Sequence, residues 1–268
     1  MTTQQLLSPL RRAVDTFDMI DENDRIAVGL SGGKDSVTLL TLLAKLRLFY
    51  PKKFSVVAIT VDMGLDYDKN ETDAMKAYVE ELGVEYHVEK TDIGPILFDV
   101  RKEKNPCSLC SKMRRGALNT VAKKLGCNKL ALGHHADDLV ETFFLSMIFE
   151  GRFSTFEPVT YLSRSEVTVI RPMIFIEEKD VTAFARNNPV IHNPCPADKH
   201  TKRQYVKELI ASVKKDVPFA KDRMLSAIYH PERNHLFGEA IAKMKDFRRQ
   251  NQLDSENGVS KSSDVTTK

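Results

Sequence analysis

The chain has 268 residues, 40 Lys and Arg against 37 Asp and Glu, 42% hydrophobic residues and 4 cysteines. That length and apolar content are enough to bury one large domain, with or without an appendage, and they exclude disordered, collagen-like and disulfide-built chains. No apolar run approaches the ~20 residues that span a bilayer, and MTTQQLLSPLRR has no signal-peptide layout, so a cytoplasmic protein without a membrane partner is expected.

The elements are read in chain order. Gln4 to Ile20 is expected as a lead-in helix, started or interrupted near Pro9. RIAVGL, Arg25 to Leu30, is an apolar strand that opens into SGGKDS, and the residues after it space their apolar side chains as a helix does. Ser55 to Asp62 reads as a buried strand, Glu71 to Leu82 as a helix and VEYHVEK as the next strand. Lys129 to Gly133 is a further strand, DDLVETFFLSMIF a helix, EVTVIRPM an extended run ending at a proline, and EEKDVTAFARNN a short helix. Alternating strands and helices predict a doubly wound parallel α/β domain over 25–200, with ligands at the carboxyl ends of its strands. A lead-in over 1–24, a helical extension over 201–250 and a disordered polar tail over 251–268 complete the expected organisation.

Charge is unevenly placed. Lys199 to Gln250 carries 13 Lys and Arg against 6 Asp and Glu, a balance of +7, and RKEKNPCSLCSKMRR holds six basic side chains against Glu103 alone. Such patches serve either as nucleic-acid footprints or as solvated helix faces.

SGGKDS lies where a strand turns into a helix, so backbone N–H groups and the helix N-terminus can hold an anion. Gly32 and Gly33 allow close backbone approach, Lys34 adds a cation, Ser31 and Ser36 bring hydroxyls, and Asp35 stands among them. It is not a Walker A loop, because Val28 and Asp35 occupy the positions where that motif needs Gly and Ser or Thr. SGGKDS after an apolar strand resembles the signature of the PP-loop ATP pyrophosphatases, which adenylate a carbonyl oxygen and release pyrophosphate. The resemblance implies a five-stranded parallel sheet flanked by helices and ATP as substrate. It also implies that TVDMG, with Thr60 and Asp62, contacts adenosine. GHHADDLVET matches a second family segment, which implies nucleotide contact by Gly133 and His134, and catalytic roles on the Mg²⁺ or phosphate side for Asp137 and Asp138. Carboxylates are also favoured electrostatically at a helix N-terminus, and a His there can cap or pack rather than react, so His134 and His135 keep both readings.

Cys107 and Cys110 form a CxxC just before a helix-like segment, and Cys195 lies far downstream between prolines. The residues themselves leave a redox pair, an iron–sulfur site and a zinc site open, the last completed by His192 or His200. Cys127 reads as a small core residue. Combined with the PP-loop, the three cysteines and the segments CSLCSKMRRG, LALGHHADD and VIRPM…EEKDV resemble the tRNA 2-thiocytidine synthetase family of iron–sulfur tRNA thiolation enzymes. That resemblance implies a [4Fe–4S] cluster on Cys107, Cys110 and Cys195 rather than zinc, with one iron open to sulfur. It further implies tRNA as partner, a cysteine desulfurase or other persulfide donor, and a homodimer. The reaction implied is adenylation of O2 of a pyrimidine, cytidine 32 of the anticodon loop, and its replacement by sulfur. Arg114 is then expected to act in catalysis and, with Arg115, to orient a phosphate, unless both merely form an exposed helix face; Arg171 falls near the active face. The rival readings are a lysidine-type ligase, which needs no cluster, sulfur transfer on a small molecule, and a zinc-stabilised nucleotide sensor.

Overall fold

The structure, a computed structural model, describes residues 1–102, 106–195 and 202–234 together with Leu236, Gly238, Asp246 and Arg249. His200, most of the expected basic extension beyond residue 234 and the polar tail lie outside the described residues. The chain divides into two compact units, Met1–Lys221 and Asp222–Lys268. The elements in order are α1 (Thr3–Thr16), β1 (Asp24–Gly29), α2 (Lys34–Leu46), β2 (Phe54–Asp62), α3 (Lys69–Glu81), β3 (Glu85–Lys90) and α4 (Ile93–Pro95), which continues as a π-helical turn, Ile96–Val100. There follow α5 (Pro106–Lys124), β4 (Lys129–Ala131), α6 (Ala136–Glu150), β5 (Val159–Leu162), β6 (Val167–Ile170), α7 (Glu178–Ala185), α8 (Lys202–Asp216) and α9 (Ala220–Tyr229). Among the described residues no helix is long and apolar enough to cross a membrane.

The sheet has the order β3-β2-β1-β4-β6-β5. Five of these strands are parallel neighbours, as the alternation of elements predicts. The expectation of a purely parallel five-stranded sheet needs one correction: β5 adds a sixth strand, antiparallel to β6 from Val159↔Ile170 to Leu162↔Val167. VTYL escapes a sequence reading because it is short and only partly buried, so neither a continuous apolar run nor a clean alternation marks it. Strand order reverses between β1 and β4, and the loops leaving those two strands therefore open into one crevice.

Burial explains the layers. Ile26, Ala27 and Val28 are fully buried in β1, as a central parallel strand covered on both faces requires. On one face lies α2, which buries Leu39, Leu40, Leu42, Leu43 and Leu46; on the other, α5 brings Val121 and Ala122 onto Ala27, Val57, Leu130 and Val169. Cys127 packs in that second layer at 4% exposure, as a small apolar residue. The α1 helix runs through Pro9 without a break, contrary to the expected interruption. An interior proline costs about 3 kcal/mol, but Leu6, Leu7, Leu10, Ala13 and Val14 are buried along one face, and at about 1.5–3 kcal/mol for each large side chain they outweigh it.

One buried ion pair fixes the amino end of this crevice strand pair. Lys129 Nζ reaches Met19 O at 2.9 Å, Asp21 at 2.8 Å and Asp24 at 2.9 Å, with Asp24 only 3% exposed. Lys129→Met strands the Asp24 carboxylate without its cation, and removing one partner of a buried pair costs about 3–5 kcal/mol. Urea denaturation should show a loss of that size, with the double variant Lys129→Met/Asp24→Asn recovering more than half of it; an unchanged midpoint in the single variant would contradict the assignment.

Candidate active site

Three loops and a strap meet at the carboxyl edge of the sheet. The first loop joins β1 to α2. Gly32 has φ +80°, a conformation natural to glycine, and Gly33 is the N-cap of α2 without any side-chain cap. Unlike a Ser or Asp cap, it leaves the first N–H groups of the helix free for an anion. Ser31 and Ser36 are tied by an Oγ–Oγ hydrogen bond of 3.2 Å, and Ser36 Oγ donates to Gly33 O at 2.9 Å, so the two hydroxyls shape the loop. Lys34 Nζ lies 2.7 Å from Asp35 and 3.1 Å from Glu178. Burial works against its charge, but the two carboxylates prevail and hold its pKa above the ordinary lysine value.

The second loop follows β2. Thr60, at the end of this strand, donates its hydroxyl to Leu30 O at 2.8 Å and meets Tyr86 OH at 3.0 Å, bracing the end of β1. Asp62 Oδ1 accepts from Gly64 N at 2.9 Å. Tyr67, a few residues on, has its phenol pushed up by burial and sits in the field of Arg114, Asp62 and Cys110, which places the β2 loop beside the cysteine helix.

The third loop follows β4. A Cβ on Gly133 would lie 3.0–3.2 Å from the backbone of Asp35 and Ser36, so glycine here lets the two loops touch. His135, 2% exposed, caps α6: its Nδ1 accepts from Asp138 N while Asp138 Oδ2 accepts from His135 N. The ring proton is thereby assigned to Nε2, which faces Asp35 Oδ1 at 3.7 Å. Asp137 accepts from Glu178 N and pairs with Lys221, each at 2.7 Å, and Asp138 pairs with Arg203 at 2.9 Å. Burial opposes ionisation of Asp137, but Lys221 and the Glu178 N–H outweigh it and lower its pKa. Every carboxylate oxygen of this Asp pair already has a partner, whereas Asp35 is the more open acid, its side chain 38% exposed.

The sequence reading missed the cations and acids that complete this network. Arg203 and Lys207 from α8 converge on Glu141, whose side chain is 4% exposed, and Lys207 also reaches Glu178. Glu141 stands in the GHHADDLVET segment and Glu178 in EEKDV, but their pairing depends on how α7 and α8 dock.

Cys107 and Cys110 lie within the first turns of α5 rather than before a helix. Cys107 is exposed, and Cys110 is half-buried beside Met63. Burial pushes the Cys110 thiol up, Arg114 opposes that rise, and Cys195 and Cys107 both reinforce it. Both of the other cysteines thus bear on the Cys110 thiol. Among the described residues no three His, Cys, Asp or Glu side chains are set to hold a single metal ion. His192, offered by the sequence as a zinc ligand, turns instead to Glu71 of α3, which binds both its ring and its backbone N–H.

The strap is the segment that ends in Cys195. Ile191 N donates to Gly32 O at 2.9 Å, and a Cβ on Gly32 would lie 2.7–2.9 Å from three atoms of the Ile191 side chain. The residues leading to the third thiol are therefore seated on the nucleotide loop itself.

Comparison with known proteins places this geometry in context. A family profile describing a PP-loop domain matches residues 3–213. The tRNA-cytidine(32) 2-sulfurtransferase of Syntrophotalea carbinolica is 39% identical over 241 residues, covering 88% of this chain and 91% of that protein. The protein of the same name from Geobacter sulfurreducens is 38% identical over 248 residues, covering 91% and 96%. Among solved structures, the U34-tRNA thiolase NcsA from Methanococcus maripaludis with its [4Fe-4S] cluster is similar at a TM-score of 0.68 and 28% identity, over 85% of this chain and 78% of that one.

Proposed function

The chain belongs to the PP-loop family and, within it, to the tRNA-cytidine(32) 2-sulfurtransferases, and from that premise we propose that it uses ATP to adenylate O2 of cytidine 32 and then replaces that oxygen with sulfur. The observation that carries the reading is the strap: one hydrogen bond, Ile191 N to Gly32 O, joins the segment bearing the third thiol to the loop built for phosphates. An enzyme that activates an oxygen with ATP and displaces it with sulfur needs those two sites adjacent.

In this reading the uncapped amides of α2 and Lys34 hold the ATP phosphates and stabilise the charge that builds as O2 attacks the α-phosphorus and pyrophosphate leaves. Lys34 exchanges its carboxylate partners for phosphate oxygens. Mg²⁺ favours one or two carboxylates together with phosphates, and the open acid Asp35 suits that role better than Asp137 and Asp138, which position the third loop through Lys221, Arg203 and the α6 cap. The adenylated carbon then accepts sulfur, and AMP leaves with the former O2. Cys107 and Cys195 both bear on Cys110 while no three ligands are set around a single ion among the described residues, which suits a cluster larger than one ion; Cys107, Cys110 and Cys195 would hold a [4Fe–4S] cluster, which would supply an iron able to bind sulfide. Arg114 is a cation that bears directly on the Cys110 thiol. A cysteine desulfurase persulfide or other sulfide source as donor, a homodimer, and a cytoplasmic location alongside tRNA complete the proposal.

The test is mass spectrometry of nucleosides from unmodified tRNA incubated with the cluster-loaded protein, ATP, Mg²⁺ and sulfide. Formation of 2-thiocytidine with AMP and pyrophosphate in equal amounts is the expected outcome. A product thiolated elsewhere, a lysidine, or ATP consumption without any tRNA change would overturn the substrate assignment.

A further inference from the structure

Among the described residues, three enclosed side-chain polar atoms meet no hydrogen-bond partner: Asn119 Oδ1, His134 Nδ1 and Arg171 Nε. A buried polar atom left unpaired is costly, and such atoms in a native fold mark a strained or ligand-binding position. The elements that carry them adjoin. Asn119 is on α5, which packs on β4 and β6; His134 follows β4, and Arg171 follows β6.

Phe156 ties two of them together. The His134 ring lies against it, centroids 4.8 Å apart, and the Arg171 guanidinium sits 5.0 Å above its centroid. Arg171 Nη1 donates to Glu157 O and to Thr160 Oγ1, which fixes the side chain while Nε stays unused. Burial brings the Arg171 pKa down to about 10, the nearby Arg115 lowers it further and the Glu157 carboxylate only partly offsets them; among the described residues neither arginine forms an ion pair with a carboxylate. Burial pushes His134 down to about 4, so its imidazole is neutral at working pH and carries one N–H and one lone pair. Two arginines within each other's field, with Glu157 as the acid that acts on Arg171 but forms no ion pair with it, leave positive charge for an anion, and a neutral imidazole with an amide oxygen suits the edge of a base.

We infer that His134 and Arg171, both held against Phe156, together with Asn119 of α5 and with Arg115 at the rim, form the site that receives the target pyrimidine nucleotide, the arginines taking its phosphate and the imidazole and amide reading the base edge. The inference rests on the tRNA-thiolation reading and adds the acceptor half of that site. The location fits: His134 adjoins Gly133, which touches the backbone of Asp35, and Arg115 stands next in sequence to Arg114 beside Cys110. A base taken out of its stack is held by such edge contacts together with its phosphate.

Full-length, cluster-loaded protein and an unmodified tRNA transcript, with cytidine or uridine at the target, provide the test. Arg115→Gln and Arg171→Gln should each raise KM for tRNA about tenfold or more and leave KM for ATP unchanged. Each should also reduce the slope of log binding constant against log salt by about 1, with Arg171→Lys restoring part of the affinity. Asn119→Ala and His134→Gln should narrow the preference for cytidine over uridine. Arg115 is exposed on its helix, so its variant remains informative even where loss of the Thr160 brace unfolds Arg171→Gln. Wild-type thiolation with unchanged tRNA KM, salt slope and base preference in Arg115→Gln and His134→Gln would overturn the inference. Absence of tRNA thiolation by the wild type would instead overturn the underlying reading, and this site with it.

Discussion

Cys195→Ala should abolish thiolation and leave the fold and ATP binding in place. The side chain is only partly buried, and its own backbone N–H turns to Asn193 Oδ1 at 3.2 Å. Surface substitutions away from caps and cores usually change stability by about 0.5 kcal/mol or less, so the melting temperature should not move. The strap that places the residue is anchored before it, by Ile191 on Gly32 and His192 on Glu71, and survives the substitution. What is lost is one of three thiols, and with it iron content and visible absorbance after reconstitution. Retention of iron, absorbance and 2-thiocytidine formation by Cys195→Ala would remove the residue from the ligand set. Loss of ATP binding along with the iron would show that the thiol supports the nucleotide loop structurally, which its position at the free end of the strap argues against.

The parts of this molecule legible in the sequence are those whose cause is local. Ser31 to Ser36 announce themselves because a strand, two glycines and a helix start occur within one short stretch, and the parallel sheet follows from alternating periodicities. Cys127 reads as core from its place in a helix-to-strand turn. What stayed hidden depends on docking. Glu178 pairs with Lys34 across 144 residues, and Arg203 with Asp138 across 65; no spacing rule connects them. The place of Thr60 at the end of β2 was legible, but the hydrogen bond of its hydroxyl to Leu30 O, thirty residues away in sequence, was not. Asp137 and Asp138 combine both cases. Their position at the start of α6 is visible in GHHADD, but only the packing of α7, α8 and Lys221 shows that each carboxylate oxygen is already engaged.

Gly32→Ala should cripple the enzyme through both of its sites at once. At φ +80° an alanine is strained by about 1–2 kcal/mol, and its Cβ would meet Ile191 Cβ, Cδ1 and Cγ1 at 2.7–2.9 Å, closer than such atoms approach. Overpacking of that kind typically costs about 1–3 kcal/mol. Ile191 cannot simply turn away, because its backbone is bonded to Gly32 O; either the loop or the strap must shift. A loop shift re-aims the free amides of α2, and a displacement of ~1 Å is enough to cost about 10²-fold in rate. A strap shift moves Cys195. The variant should therefore lose about 10²-fold or more in kcat/KM for ATP and bind iron less tightly. Adding Ile191→Ala gives the new methyl room without correcting φ. It should restore iron binding further than ATP turnover, since the strap is relieved while the loop stays strained. Equal recovery of both would mean that contact with Ile191, rather than the left-handed backbone at Gly32, dominates the defect. A Gly32→Ala enzyme with normal ATP kinetics and full iron content would show that the strap and the loop move independently, and would remove the observation on which the proposed coupling of the two sites stands.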